Sequence, residues 1–148
     1  MSDVVVVDAN FALKWVLIEE DSTQSMRLLE KWTSESKEVI APALFAYEVT
    51  NILHRQAITG KLTYDEALQG ISKLFSLGIV LKFSFYDEIS KQAMDYAHRF
   101  HLPATYDAHY LALAYREGCE FWTADTRLWN VVKSELQWVH LLSKRDSL

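Results

Sequence analysis

The 148-residue chain is half apolar, carries a formal charge of −5, and has four glycines, two prolines and a single cysteine. That is enough material for one domain burying roughly two thirds of its unfolded surface, and it excludes a disordered chain or one stapled by internal disulfides. No stretch approaches the ~18 uninterrupted apolar residues of a membrane span, and the acidic balance argues against an ordinary basic nucleic-acid binder unless the acids gather around cations.

Val4 to Val7 is an unbroken β-branched run, the pattern of a strand buried on both faces of a parallel sheet, and Asp8 stands where it ends. Helical spacing follows over 9–17, with Phe11, Trp15 and Ile18 as apolar positions and Glu19-Glu20-Asp21 as a stop. A second helix is predicted over 22–34, with Met26, Leu28, Leu29 and Trp32 as its buried stripe. A short strand over 39–41 closes at Pro42, and a helix over 43–59 stops at Gly60. Thr63 and Glu66 form a capping-box pair opening a helix that carries Ala67, Leu68, Ile71, Leu74 and Phe75 and ends before Gly78.

Residues 79–85 read as a strand, and 87–100 as a helix with Ile89, Ala93, Tyr96 and Ala97 on one side, broken by His101-Leu102-Pro103. Asp107 opens a helix to Glu117, with Gly118 as terminator, and 119–123 is a strand. Asp125 ends that strand and begins a helix over 126–134; a last strand covers 138–142. Strands alternating with helices, without hairpin signals, predict a three-layer α/β/α sandwich with a mostly parallel sheet. The expected domain covers 1–143, with a short tail over 144–148. Asp3 does not fit the basic region of a secretory signal, and one cysteine suits a reducing cytoplasm.

Asp8, Asp107 and Asp125 each read as a helix N-cap, and equally as an acid aimed out of the carboxyl edge of the sheet, where α/β proteins bind ligands. Glu48 shares a helical face with Leu44 and Ile52, where a carboxylate needs a partner such as Arg55 or His54, a wet margin, or a metal. Four carboxylates converging on one crevice would repel one another, and hard divalent cations with oxygen ligands remove that conflict. The chemistry that suits such a site is phosphodiester hydrolysis by a metal-activated water.

Val-Val-Asp-Ala-Asn around Asp8, Ala-Tyr-Glu-Val-Thr-Asn around Glu48, Thr-Tyr-Asp-Ala-His-Tyr-Leu around Asp107 and Trp-Thr-Ala-Asp-Thr-Arg-Leu around Asp125 resemble the four acidic motifs of the PIN-domain ribonucleases. The likeness is greatest to the VapC-type toxins of toxin–antitoxin pairs, and it covers nearly the whole chain in motif order and placement. It implies an endoribonuclease dependent on one or two Mg²⁺ or Mn²⁺ ions, a homodimer, and inhibition by a small antitoxin whose tail enters the acidic groove. By the same resemblance Asp8, Glu48, Asp107 and Asp125 are the metal-binding catalytic acids, Thr123 orients a metal-bound water, and Asn10 holds Asp8; read by propensity alone, Thr123 is equally a strand residue and Asn10 a turn residue.

Lys14, Arg55, Arg116 and Arg127 are the basic residues nearest these motifs in sequence and are candidates for RNA phosphates. His98 and His101 lack a third soft ligand for zinc, His109 lies close to Asp107, and Cys119 reads as a buried strand residue. Trp15, Trp32, Tyr47 and Phe75 are either core or interface rings. Two rival readings are a non-catalytic RNA- or protein-binding module of the same fold, and a phosphoryl-transfer domain with an aspartyl nucleophile. The latter calls for a second acid beside Asp8 and a lysine at the end of a later strand, and the predicted strands supply neither.

Overall fold

A computed structural model describes residues 2–142, so the tail expected beyond residue 143 lies outside the described residues. Strand β1 (Val4–Val7) is followed by α1 (Ala9–Leu13), α2 (Ser22–Ser34), β2 (Glu38–Pro42), α3 (Leu44–Ile58), α4 (Tyr64–Phe75) and β3 (Val80–Lys82). The chain continues through α5 (Tyr86–Arg99), α6 (Tyr106–Glu117), β4 (Phe121–Thr123), α7 (Thr126–Val132) and β5 (Val139–Leu141).

The strands run all parallel in the order β3-β2-β1-β4-β5. Central β1 pairs Val5 with Val39 on one side and Val6 with Phe121 on the other, which is why its valines have no polar alternation. The chain steps outward from β1 to β2 and β3, then returns to lay β4 against the other side of β1. Connections therefore leave the carboxyl ends of β1 and β4 in opposite directions, which opens a crevice at that point.

Adjacent residues of a strand face opposite layers, and β4 shows this directly. Phe121 stacks on Tyr110 of α6, with ring centroids 5.8 Å apart, whereas Trp122 packs against Phe11 and Trp32 of α1 and α2. Helix α6 lies along β1, β2 and β4 and carries α5 on its outer side. Helices α3 and α4 pack on each other, with α3 also touching α1 and β2. Both capping-box bonds of α4 are present, Glu66 N–H to Thr63 Oγ1 at 3.1 Å and Thr63 N–H to Glu66 Oε1 at 2.8 Å. Gly118 ends α6 at φ +62°, a left-handed position that glycine reaches without strain.

Several expected boundaries move. Helix α1 stops at Leu13 because Lys14 turns inward to Glu19 and Asp21, and the Ser22 hydroxyl donates to the Leu17 carbonyl; Ile18 is left fully exposed. In α2 the buried residues are Ser25, Leu28 and Trp32, while Met26 turns outward; in α4 Leu68 does the same. The strand expected over 79–85 shortens to three residues because Phe85 adopts φ +64°, incompatible with a ladder. Of the rings left open between core and interface, Trp15 and Trp32 are core, Phe75 packs on Phe45, and Tyr47 is exposed.

Candidate active site

Asp8 caps α1 from the end of β1: its Oδ1 accepts from the Phe11 N–H at 2.9 Å, and its Oδ2 accepts from the Thr123 hydroxyl. Only 8% of its surface is exposed. Thr123 is wholly buried, and its hydroxyl oxygen also accepts from the Asp125 N–H at 2.9 Å. One side chain thus ties the carboxyl ends of β1 and β4 together at the crevice. Asp125 caps α7, with Oδ1 accepting from the N–H groups of Arg127 at 2.9 Å and Leu128 at 3.2 Å. For these two acids the cap and the edge position are the same geometry.

Asp107 and Glu48 differ from their expected surroundings. Thr105, not Asp107, is the N-cap of α6; Asp107 stands at the second helical position, exposed at the rim, without a hydrogen bond to any described residue. The buried stripe of α3 is Phe45, Val49 and Leu53, with Glu48 on its half-buried margin beside Leu44 and Ile52. Its partner is neither Arg55 nor His54. The Tyr110 hydroxyl donates to Glu48 Oε1 at 2.5 Å. Sequence reasoning missed Tyr110, although its i, i+3 spacing from Asp107 puts the two on adjoining turns of one face.

The acids feel one another. Burial lifts Asp8 from its ordinary 3.8 to about 7, against the hydrogen bonds from Thr123 and Phe11, and Asp107 adds to the rise. Burial also raises Glu48, opposed by Tyr110 and reinforced by Asp107; Asp107, exposed by surface area, is raised by partial loss of water around its carboxyl and then by Asp125. Asp107 is therefore the group through which the other three are coupled. Burial and the nearby carboxylates also push the Tyr110 phenol far above its ordinary range, so it stays a donor.

Such a set favours a cation. Its donors are hard oxygens, the kind that Mg²⁺ or Mn²⁺ takes. Among the described residues no three His, Cys, Asp or Glu side chains are gathered into a ligand cluster. The carboxyl of Asp8 and the rim acid Asp107 are the groups such an ion would relieve most directly.

The supporting residues sort unevenly. Asn10 is exposed and forms no hydrogen bond with Asp8, whose fixed geometry comes from Phe11 and Thr123. Lys14 is committed to Asp21 at 2.9 Å and Glu19 at 3.3 Å, with 13% of its side chain exposed. Burial works against its charge, and the two carboxylates more than offset that, so it titrates above its ordinary value. Arg116 sits nine residues along α6 from Asp107, about 13 Å down the axis, where it pairs with Glu88 and lies 3.6 Å over the Phe85 ring. Arg55 and Arg127 are exposed and have no ion pair among the described residues. The His109 ring is tied to the Thr105 carbonyl at 2.7 Å, and burial pushes the Cys119 thiol up to about 12.

Contrary to expectation, one strand does end in lysine: Lys82 closes β3. Strand β2 separates it from β1, which puts it about 10 Å from Asp8 by strand spacing. With no acid beside Asp8 in Asp8-Ala9-Asn10, the aspartyl-nucleophile arrangement is not assembled.

Comparison with known proteins agrees with this architecture. The sequence profile of the PIN domain matches residues 5–134. Over 124 residues the chain is 36% identical to Ribonuclease VapC3 of Pyrobaculum aerophilum, spanning 84% of this chain and 91% of that protein. Among solved structures, PAE2754 from the same organism superposes with a TM-score of 0.64 at 23% identity, covering 88% of this chain and 87% of the other. VapC20 of Mycobacterium tuberculosis, described as a sarcin-ricin loop cleaving toxin, gives a TM-score of 0.62 at 17% identity, covering 88% and 95%. At these identities the two structures speak to the fold alone.

Proposed function

Because this chain belongs to the PIN domain family, we propose that the crevice between β1 and β4 is the active site of an endoribonuclease of VapC type, acting as the toxin of a toxin–antitoxin pair. The observation that carries this reading is the Thr123 bridge, which ties Asp8 at the end of β1 to the Asp125 backbone at the end of β4. Burial raises Asp8 and Glu48, and Asp107 adds to both; Asp107 is itself raised by burial and then by Asp125. Acids so arranged are unstable as neighbours until a cation or protons neutralise them.

We assign Asp8, Glu48, Asp107 and Asp125 as the groups that would hold Mg²⁺ or Mn²⁺. When bound, such an ion supplies an activated water and neutralises charge on the scissile phosphate. Thr123 keeps Asp8 and the Asp125 backbone in register, which is a positioning task. Arg55 lies two turns along α3 from Glu48, on the same face, and Arg127 lies two residues past Asp125; these two are the candidates for RNA phosphates. Arg116 and Lys14 are withdrawn from that role by their ion pairs.

A small antitoxin occupying the acidic groove and a homodimer complete the proposal, with support from family membership. No helix among the described residues is long and apolar enough to cross a membrane. A cytoplasmic site of action is proposed on the single cysteine and on the RNA substrate.

The test is cleavage of structured RNA by the purified protein in Mg²⁺, in Mn²⁺ and in EDTA, beside Asp8→Asn and Asp107→Asn. Cleavage should need the divalent ion and be lost in both variants. Cleavage in EDTA, or in either variant at the wild-type rate, overturns the reading; binding of RNA without cleavage in any ion establishes the non-catalytic module instead.

A further inference from the structure

Glu48 is the one acid of the set that does not come from a strand end or from the helix bearing Asp107. It arrives on α3, at a half-buried helix margin, on a side chain with three rotatable bonds and with Asp107 repelling it. A free glutamate there would swing toward water. It is held by Tyr110, whose hydroxyl donates to Oε1 and leaves Oε2 without a protein partner among the described residues.

Tyr110 is itself fixed on three sides. It is 1% exposed, it sits one turn after Asp107 on α6, and its ring stacks on Phe121 with the planes 12° apart. Phe121 lies two residues before Thr123 and so on the same face of β4. The phenol consequently connects α3, the Asp107 helix and the strand whose Thr123 holds Asp8. A buried, stacked tyrosine has only two side-chain torsions, and here packing sets both.

We infer that Tyr110 is a positioning residue of the acid site: its hydroxyl fixes one oxygen of Glu48 and leaves the other open for the divalent ion, and this sets the affinity for that ion. The inference rests on the proposed function, since it concerns the same ion. Losing an outer partner of a metal-binding carboxylate commonly weakens ion affinity about 10- to 100-fold.

The experiment measures Mn²⁺ binding by the electron paramagnetic resonance of the free ion, together with RNA cleavage as a function of Mn²⁺ concentration. It uses wild type, Tyr110→Phe, Glu48→Gln and the double variant, with thermal unfolding recorded for each. Tyr110→Phe keeps the ring and its stack, and the freed Glu48 oxygen can reach water, so the fold should persist. Expected is roughly ten-fold weaker Mn²⁺ binding, with cleavage restored by raising Mn²⁺, and no further weakening by Tyr110→Phe once Glu48 is glutamine. A second readout needs no change at Tyr110 and no metal. In EDTA, wild type should show a downfield, slowly exchanging phenolic proton that disappears in Glu48→Gln. Wild-type ion affinity in Tyr110→Phe, equal losses with and without Glu48, or absence of that proton overturns the inference while leaving the proposed function standing. Wild type that binds no Mn²⁺, or binds it equally well as Glu48→Gln, overturns the assignment of Glu48 to the ion and this inference with it.

Discussion

Replacing Asp8 with asparagine should stabilise the ion-free protein above neutrality, although it removes a residue assigned to the active site. The carboxyl titrates near 7 in the fold against an ordinary 3.8. Between those values the folded chain binds more protons than the unfolded one, so this group's contribution to stability falls as pH rises from about 4 to about 7. At about 1.4 kcal/mol per pH unit the loss is about 4 kcal/mol, fully developed by pH 8. Asparagine keeps an acceptor for the Phe11 N–H but leaves the Thr123 hydroxyl without its carboxylate, which returns about 1 kcal/mol. The expected net gain for Asp8→Asn is therefore about 3 kcal/mol at pH 8 in EDTA, shrinking toward pH 5. Urea unfolding followed by tryptophan fluorescence measures it. Mg²⁺ should then stabilise wild type and not the variant. Wild type as stable as Asp8→Asn at pH 8 in EDTA, or a gap that widens on acidification, would refute the reasoning.

Thr123→Val should cost about 1–3 kcal/mol in urea unfolding, because it strands the half-buried Asp125 N–H and removes a donor from the buried Asp8 in one step. Arg127→Ala should raise the KM for RNA several-fold at low salt, with kcat little changed and the difference fading as salt rises. Arg116→Ala, which breaks an ion pair with Glu88 and a ring contact far from the acids, should leave the same kinetic constants unaltered. An equal KM effect in the two arginine variants would show that the separation of these cations along the fold is not functional.

What the sequence discloses here is what local rules govern. The valine run, the caps at Asp8 and Asp125 and the Thr63–Glu66 capping box each depend on residues within one turn or one strand of each other. The parallel three-layer order follows from strands alternating with helices. Misplacements begin where a distant partner decides. Tyr110 and Glu48 are 62 positions apart, and no periodicity links them. Arg116 looks close to Asp107 when counted along the chain, but a helix carries nine residues to its opposite end. Residues 83–85 have strand-like composition, yet the left-handed Phe85 under the Arg116 guanidinium turns them into a loop. Lys14 reads as a substrate cation until the return of the chain at Asp21 captures it.

The same contrast separates the acids by freedom. Asp8 and Asp125 are pinned by backbone N–H groups and Glu48 by a phenol, whereas Asp107 has no hydrogen-bond partner among the described residues. It is also the charge that raises both Asp8 and Glu48. The one acid of the four whose side chain has no hydrogen bond among the described residues thus adds to the shifts of Asp8 and Glu48, in which burial is the larger cause. Asp107→Asn should lower the folded-state titration midpoints of Asp8 and Glu48 together, with Asp8 still above 3.8 because burial, its largest cause, is untouched. Asp125→Asn should act first on Asp107 and only weakly on Asp8 and Glu48, since Asp125 enters neither of their shifts. Carboxyl carbon chemical shifts followed against pH in EDTA distinguish the two variants. If Asp125→Asn moves Asp8 as far as Asp107→Asn does, the coupling does not run through Asp107, and the four acids form one undifferentiated cluster.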